Sequence, residues 1–178
     1  EILQSIANND SRLHLIRFAR NFGSHIANIA GITHAKGDAM IIMSADLQDP
    51  PELIAEMYEK MQQGFEVVYA KRRTRGDTSL SAKFVRNPLY YVGYKIIAAL
   101  SDTDIPRNTG DFRILSRRVI EELRFLPEGH GFLRGLVAFV GFKQTGIDYT
   151  RPERPFGQTT NSFMRNFDWA KKGIFSFS

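Results

Sequence analysis

Apolar and polar positions along the first half of the chain switch repeatedly between a helical period and a strand period. Apolar residues spaced by three and four predict helices over residues 1–9, 24–33 and 53–63, and short apolar or alternating runs predict strands over residues 13–18, 40–43 and 67–70. Helices and strands therefore follow one another at short intervals. This order predicts a βαβ-type, largely parallel sheet flanked by helices.

Beyond residue 70 the chain becomes more helical and more basic. The pattern predicts a long helix over residues 85–100, a strand at 112–115, a helix at 119–126, a last strand at 143–149 and an amphipathic helix at 162–178. A soft boundary near residue 75 separates the two halves of what we expect to be a single domain over residues 1–178. The tail helix fits either a terminal helix packed on the core or a helix lying in a membrane interface.

Composition narrows the class of protein. With 178 residues, 43% hydrophobic and 24% charged, the chain has the make-up of a globular domain. The absence of cysteine excludes disulfides, thiolate metal sites and a cysteine nucleophile. A net charge of +5 suits nucleic acid, an anionic membrane or phosphorylated substrates. Because no nucleic-acid-binding motif accompanies this charge, we expect no nucleic-acid partner.

The strongest chemical signal is a polar segment that follows the predicted strand at 40–43, and we call residues 44–49 the acidic turn. Two prolines come after it and suit the first turn of a helix, so Asp46, Gln48 and Asp49 fall at the carboxyl end of a strand. Their hard oxygen ligands suit Mg²⁺ or Mn²⁺ shared with a substrate phosphate. Alternatively, Asp49 caps the next helix and Asp46 caps a turn. Spacing alone leaves both interpretations open.

Basic residues follow the next predicted strand, on what should be the same rim of the sheet. Arg72 belongs to this cluster, and Lys83 and Arg86, three residues apart, share a face of the following helix. Arginine forks suit phosphate oxygens. The alternative is a solvated charge run without a ligand.

A second candidate site lies in the predicted strand at 112–115. Asp111 and Arg113 flank an aromatic residue, and in an extended segment their side chains point to the same side. The two residues form either a clamp for a substrate or a surface ion pair of little consequence.

Taken in order, these motifs resemble the family 2 glycosyltransferases, specifically the polyprenyl-phosphate hexosyltransferases of the bactoprenol glucosyltransferase type, which are related to dolichyl-phosphate mannose synthases. The resemblance covers nearly the whole chain. It rests on residues 20–23, 45–52, 110–113, 115–117, 132, 134–136, 140–142 and 157–159.

The resemblance implies a glycosyltransferase A-type, Rossmann-like fold with a mixed, mainly parallel sheet. It also implies inverting, metal-assisted transfer of a hexose from a nucleotide sugar, with a UDP-sugar favoured. The acceptor would be the phosphate of an undecaprenyl-type polyprenyl phosphate at the cytoplasmic face of the cell membrane. The implied cofactor is Mg²⁺ or Mn²⁺, and homo-oligomerisation is left open.

On the donor side, the resemblance assigns roles within the acidic turn. Asp46 matches the last acid of the family's Asp-x-Asp motif and Gln48 its second metal-side ligand. Ser44 and Asp49 complete the expected cofactor-binding set.

On the acceptor side, Arg72 matches an arginine that contacts the acceptor phosphate, and Lys83 and Arg86 fall where further basic contacts are placed. Asp111 and Arg113 match a motif near the reacting sugar. Together with Asp46, they form the predicted catalytic set.

Three departures from the family pattern are visible. Ser44 stands where the first acid of Asp-x-Asp is usual, and Thr160 and Asn161 replace a lysine and an aromatic residue. The family's first strand with its Asp-Asp-Gly-Ser turn is not found after Glu1, nor are membrane helices found before Ser178. We therefore expect an N-terminally incomplete catalytic domain. The alternative is a catalytically weakened or inactive protein that keeps the fold as a scaffold.

Overall fold

The computed structural model describes residues 2–73, 109–126 and 133–152. The predicted long helix at 85–100 and tail helix at 162–178 lie outside the described residues, as do Lys83, Arg86 and Thr160. None of the helices in the described ranges is both long enough and apolar enough to cross a bilayer.

The described ranges contain five helices and four strands. The helices are α1 (Ile2–Asn9), α2 (Ser24–His34), α3 (Leu53–Gln62), α4 (Arg117–Phe125) and α5 (Leu133–Phe139). The strands are β1 (Ala39–Ile42), β2 (Val67–Arg72), β3 (Thr109–Ser116) and β4 (Gln144–Tyr149). Most predicted elements in these ranges are confirmed, with ends displaced by a few residues.

Local chemistry explains where α3 begins and ends and where α4 begins. The two prolines after the acidic turn start the turn that leads into α3, since the Ile54 N–H donates to the carbonyl of Pro51 at 3.0 Å. Beyond α3, Gly64 has φ +89°, a conformation that glycine adopts without steric cost. Ser116 caps α4, because its hydroxyl oxygen accepts a hydrogen bond from the Val119 N–H.

The strands form one mixed sheet in the order β1-β3-β2-β4. β3 pairs antiparallel with both β1 and β2, whereas β2 pairs parallel with β4. Three strands therefore point in one direction and β3 points in the other. The expected mainly parallel direction holds for β1, β2 and β4, but two of the three strand pairings are antiparallel.

Helices cover both faces of this sheet, so the core has two parts. On one face, Val67 and Leu115 pack with buried residues of α2, α4 and α5. On the other face, Val68 and Ile114 pack against Met57 of α3. Successive strand residues thus face opposite helical layers, as the two-residue period of a strand requires.

The predicted strand at 13–18 is wrong. These residues adopt no regular structure, and Leu15 and Ile16 are 40% and 45% exposed. A strand is stabilised by hydrogen bonds to a neighbouring strand, and none of the described strands pairs with this segment. Alternation of apolar and polar residues alone is therefore not enough to make this segment a strand.

The reversed direction of β3 decides which residues meet. Its register sets Arg113 opposite Ile42 at the end of β1, and Thr109 opposite Lys71 near the end of β2. The carboxyl ends of β1, β2 and β4 and the amino end of β3 therefore share one edge. We call this edge, with residues 44–49, 72, 109–113 and 149–152, the polar rim.

Candidate functional site

Asp49 is a buried residue whose hydrogen bonds stabilise the conformation of the acidic turn. It is only 3% exposed. Its Oδ2 accepts the Ser44 N–H at 2.9 Å, and its Oδ1 accepts the hydroxyl of Tyr149 at 3.4 Å. The interpretation of Asp49 as the helix cap is wrong, because Glu52 precedes α3 and makes no side-chain cap. Asp49 instead ties the turn to the end of β4.

Asp46 lies nearer the surface of the same turn. Its Oδ1 accepts the Gln48 N–H at 3.3 Å, so the turn-capping interpretation is confirmed. Between them, Leu47 has φ +58° and is 67% exposed. A non-glycine residue in the left-handed region is strained, and such strain clusters at functional sites. The turn-capping bond engages Oδ1 of Asp46, and Oδ2 lies beside the cationic side chain of Arg151.

The chain just after β4 contacts both predicted metal-side residues. Arg151 lies with its Nη2 3.4 Å from Oδ2 of Asp46. The side-chain amide of Gln48 donates to the carbonyl oxygen of Pro152 at 3.0 Å. Since the amide nitrogen of Gln48 is the donor, its amide oxygen is the atom left to act as a ligand.

The acidic turn offers a small set of hard ligands. In the described ranges, no group of three or more histidine, aspartate and glutamate residues could hold a metal ion. The turn supplies one accessible carboxylate, Asp46, with the amide oxygen of Gln48 and the hydroxyl of Ser44. Mg²⁺ is commonly bound through one or two carboxylates, with water and substrate phosphates completing the coordination. These residues therefore fit Mg²⁺ or Mn²⁺ in company with a diphosphate.

Asp111, at the amino end of β3, is held by a residue that the sequence reasoning did not assign to the site. Arg134 donates from Nε to Oδ1 of Asp111 at 3.1 Å and from Nη1 to the carbonyl oxygen of Thr109 at 2.7 Å. The apolar helix α5 anchors Arg134, because Leu133, Leu136 and Val137 are buried in the core. Residues 134–136 were among the motifs that carried the resemblance, and that was the available signal.

Arg113 lies beneath Asp111. It is 3% exposed and donates from Nη2 to the carbonyl oxygen of Gly110 at 2.9 Å. Burial lowers the pKa of Arg113 to about 10, an effect that the carboxylate of Asp111 opposes. The surface ion-pair interpretation is wrong, because Arg113 is buried and donates hydrogen bonds to the backbone oxygens of Gly110 and Asp111. The catalytic roles of both residues remain predictions, and burial favours a supporting role for Arg113.

Arg72 ends β2 and crosses over the start of β3. A Cβ atom at Gly110 would lie 2.8 Å from Nη2 of Arg72, so a larger residue there would push the guanidinium group out of this position. Burial raises the pKa of Tyr149, and a hydrogen bond with Arg72 opposes that rise. Lys71 and Arg73 are exposed, whereas Arg72 is half-buried. The solvated-run interpretation therefore suits those neighbours but not Arg72, whose acceptor-phosphate role remains a prediction.

Comparison with known proteins places the chain in a family. The profile described as Glycosyl transferase family 2 matches residues 1–124. The chain is 44% identical to the uncharacterized glycosyltransferase YkcC of Bacillus subtilis, covering 100% of this chain and 54% of that protein. It is 38% identical to the prophage bactoprenol glucosyl transferase homolog of Escherichia coli K12, covering 99% of this chain and 56% of that protein.

A bactoprenol glucosyl transferase of Shigella phage SfV is 37% identical, with coverage of 99% of this chain and 56% of that protein. The chain thus spans about half the length of the curated relatives it matches. The profile match extends over more than half of the chain and includes the acidic turn, Arg72 and the whole of β3. The chain belongs to glycosyltransferase family 2, and its mixed sheet flanked by helices is the A-type fold of those enzymes.

Proposed function

We propose that the protein transfers a hexose from a nucleotide sugar, with a UDP-sugar favoured, to the phosphate of a polyprenyl phosphate. The observation that carries this proposal is the gathering of Asp46, Arg72 and Asp111 on the polar rim. The acidic turn suits a metal and a diphosphate, and Arg72 suits a second phosphate beside it. Relatives named as bactoprenol glucosyl transferases support this choice of acceptor.

On the donor side, Asp46 and Gln48 would hold a divalent ion, with Ser44 beside them. When bound, that ion supplies positive charge to the departing nucleoside diphosphate. Asp49 does not touch the donor in this proposal. It keeps the turn in the conformation that presents Asp46, through its hydrogen bonds to Ser44 and Tyr149.

On the acceptor side, a polyprenyl phosphate is already an anionic nucleophile at neutral pH, so a strong general base is less necessary than for an alcohol. Arg72 holds the acceptor phosphate against its repulsion from the donor diphosphate. A phosphate oxygen then bonds to the anomeric carbon as the bond to the diphosphate breaks on the opposite side, which inverts the configuration. The protein contributes mainly by alignment of these two groups.

Asp111 is proposed to orient the reacting sugar. Its carboxylate can accept hydrogen bonds from sugar hydroxyls, and Arg134 fixes its direction. Arg113 supports the strand backbone directly below it. In this proposal one half-buried acid contacts the sugar, and two arginines support it at the amino end of β3.

The acceptor also sets the location in this proposal. A polyprenyl chain is held in a bilayer, so we infer that the protein works at the cytoplasmic face of the cell membrane. Its net charge of +5 would favour an anionic lipid surface. The predicted amphipathic segment at 162–178 is the candidate for contact with that surface.

The test is a transfer assay with the full-length protein, undecaprenyl phosphate and a series of nucleotide hexoses, with Mg²⁺ or Mn²⁺ present. We expect a sugar–phosphate–lipid product whose anomeric configuration is opposite to that of the donor, measured by NMR coupling. Absence of hexose transfer with every donor tested would refute the proposal. A product of retained configuration would refute inversion only.

A weakened or inactive glycosyltransferase-fold protein is the second candidate. It is favoured by the single accessible carboxylate of the acidic turn, which is already in contact with Arg151. Introducing a carboxylate by Ser44→Asp distinguishes the two candidates. A weakened enzyme should gain metal affinity and turnover, whereas a scaffold should stay inactive.

A further inference from the structure

We propose that Arg151 is a built-in counter-cation of the acidic turn, which holds Asp46 while the metal is absent and transfers to the donor diphosphate when the metal binds. This inference rests on the proposed donor site. It assigns a binding role to a residue that lies outside the predicted set, and it makes metal binding and diphosphate binding depend on each other.

The contact between Arg151 and Asp46 is of a kind that can be exchanged. It consists of a single Nη2–Oδ2 approach of 3.4 Å rather than a two-point fork. Both side chains are about one quarter exposed, at 27% and 23%. Water can therefore reach the pair, and a partly hydrated, single-contact ion pair is weaker than a buried two-point one.

One hydrogen-bond donor of Arg151 also lacks an acceptor. Its Nε is buried and has no hydrogen-bond partner, at least among the residues that the structure describes. A buried N–H without an acceptor is destabilising, because it has lost its hydrogen bonds to water. A phosphate oxygen would satisfy it, since guanidinium groups donate in pairs to phosphate. The contact with Asp46 thus satisfies the charge of Arg151 but leaves one of its donors without an acceptor.

Arg72 has the same unmet donor on the neighbouring strand. Its Nε is likewise buried and lacks an acceptor within the described ranges. The register of β2 and β4 pairs Arg72 with Tyr149, two residues before Arg151. The charges of both arginines also favour the ionised form of that phenol, which places both near it. Two guanidinium groups, each with a buried Nε that lacks an acceptor among the described residues, therefore lie near Tyr149, which bonds to Asp49 of the acidic turn, and the pair suits an anion with several oxygens.

Charge explains why the arginine and the metal must exchange. A divalent cation on Asp46 would repel a guanidinium group in contact with the same carboxylate. Metal alone must displace Arg151 and gives it no new acceptor, so binding is weak. Metal with a diphosphate offers Arg151 phosphate oxygens in exchange. The two ligands should therefore bind with positive coupling, which by linkage is the same in both directions.

The experiment is a titration of the full-length protein with Mn²⁺, with free Mn²⁺ measured by electron paramagnetic resonance, in the absence and presence of UDP. For wild type we expect weak Mn²⁺ binding that UDP tightens by about tenfold. Arg151→Ala should bind Mn²⁺ alone several-fold more tightly, and UDP should then tighten Mn²⁺ binding by a clearly smaller factor than in wild type. Arg151→Gln, which keeps hydrogen bonding but not charge, should behave in the same way.

Two controls isolate the effect. Arg151→Lys keeps the positive charge and should leave Mn²⁺ alone weakly bound. Arg118 is an exposed arginine that pairs with Glu66, just before the amino end of β2. Arg118→Ala removes the same charge and should leave Mn²⁺ affinity unchanged, with and without UDP. If Mn²⁺ affinity is equal in wild type, Arg151→Ala and Arg151→Gln, including the case of no binding in any, the inference is overturned. An equal gain in Arg118→Ala also overturns it.

Asp46→Asn separates this inference from the proposed function. If Asp46→Asn abolishes Mn²⁺ binding while Arg151→Ala leaves it unchanged, only the exchange is refuted. If Asp46→Asn binds Mn²⁺ normally, the proposed metal site fails and the exchange fails with it.

Discussion

The acidic turn and the amino end of β3 each present one aspartate on the same rim, and each aspartate faces an arginine from a later part of the chain. Asp46 meets Arg151 through a single contact of 3.4 Å. Asp111 meets Arg134 at 3.1 Å, and that arginine is itself fixed by a 2.7 Å bond to the carbonyl of Thr109. The Asp46–Arg151 pair can therefore separate easily, whereas the Asp111–Arg134 pair is held in place by the second bond of Arg134.

The difference follows from what holds each arginine. Arg134 belongs to α5, and Leu133, Leu136 and Val137 of that helix are buried in the core, so the position of Arg134 is set by packing. Arg151 lies two residues beyond the end of β4, and its Nε has no acceptor among the described residues. The molecule thus combines a carboxylate that can change partner, suited to an entering metal, with a carboxylate in a fixed orientation, suited to alignment of a substrate.

The largest effect should come from removing the charge of the exchangeable carboxylate. Asp46→Asn keeps an oxygen that can accept the Gln48 N–H, so the turn should survive. Loss of the metal ligand should lower kcat/KM about 100-fold or more, because a bound metal supplies several kcal/mol of charge stabilisation. Transfer assays and Mn²⁺ titration check this prediction. Normal turnover would show that the metal assignment is wrong.

Breaking the anchored pair should mainly slow the chemical step. Arg134→Gln removes the charged bond to Asp111 and should lower kcat about 10- to 100-fold, with a smaller change in KM for the donor, because misplacement of an aligning group is costly. Partial rescue by Arg134→Lys would indicate that the charge on Asp111 matters. A proportional loss of stability and activity would instead indicate a purely structural role, and unfolding in urea measures that.

Arg72→Ala tests the phosphate side of the rim. The loss of one charge-assisted hydrogen bond, about 1.5 kcal/mol, should raise the KM for polyprenyl phosphate about tenfold and change the KM for the nucleotide sugar less. Exposed Arg73 is the matched control, since Arg73→Ala removes the same charge at the next position. Equal effects of the two variants would point to general electrostatic attraction rather than to a specific contact.

The smallest effect concerns the hydroxyl that links β4 to the acidic turn. Tyr149→Phe removes the hydrogen bond to Asp49 and should lower the free energy of unfolding by about 1 kcal/mol. Tyr58→Phe, on an exposed residue of α3, should cost nothing measurable. Urea unfolding at neutral pH compares the two variants. Equal stability of Tyr149→Phe and wild type would show that the hydroxyl does not hold the turn.

The same variant makes a prediction about alkaline pH. Burial raises the pKa of Tyr149, so folding favours the protonated phenol. Its contribution to stability is complete below the ordinary tyrosine pKa of about 10 and is lost as pH rises through the raised pKa. The stability difference between wild type and Tyr149→Phe should therefore shrink above about pH 10.

Much of the local structure of the acidic turn could be predicted from the sequence. Two prolines after an apolar run predicted a strand, a turn and a helix, and Asp46 does cap the turn as its position suggested. These bonds join residues five or fewer positions apart, such as Ser44 and Asp49, so local spacing carries the information. The predicted strand at 13–18 shows the limit, because pairing depends on a neighbouring strand.

The sequence by itself determined most of the order of helices and strands, the capping of the acidic turn by Asp46 and, through its motifs, the family. Only the tertiary structure decided that β3 runs antiparallel, which brings Asp111 to the rim of Asp46 and Arg72. It also decided the partners Arg134 and Arg151, the latter 105 residues from Asp46. The physical reason is that apolar and polar residues alternate in the same way in parallel and antiparallel strands, so the pattern does not reveal strand direction. The order of the strands in the sheet, rather than the spacing of residues along the chain, sets which distant charged residues come into contact.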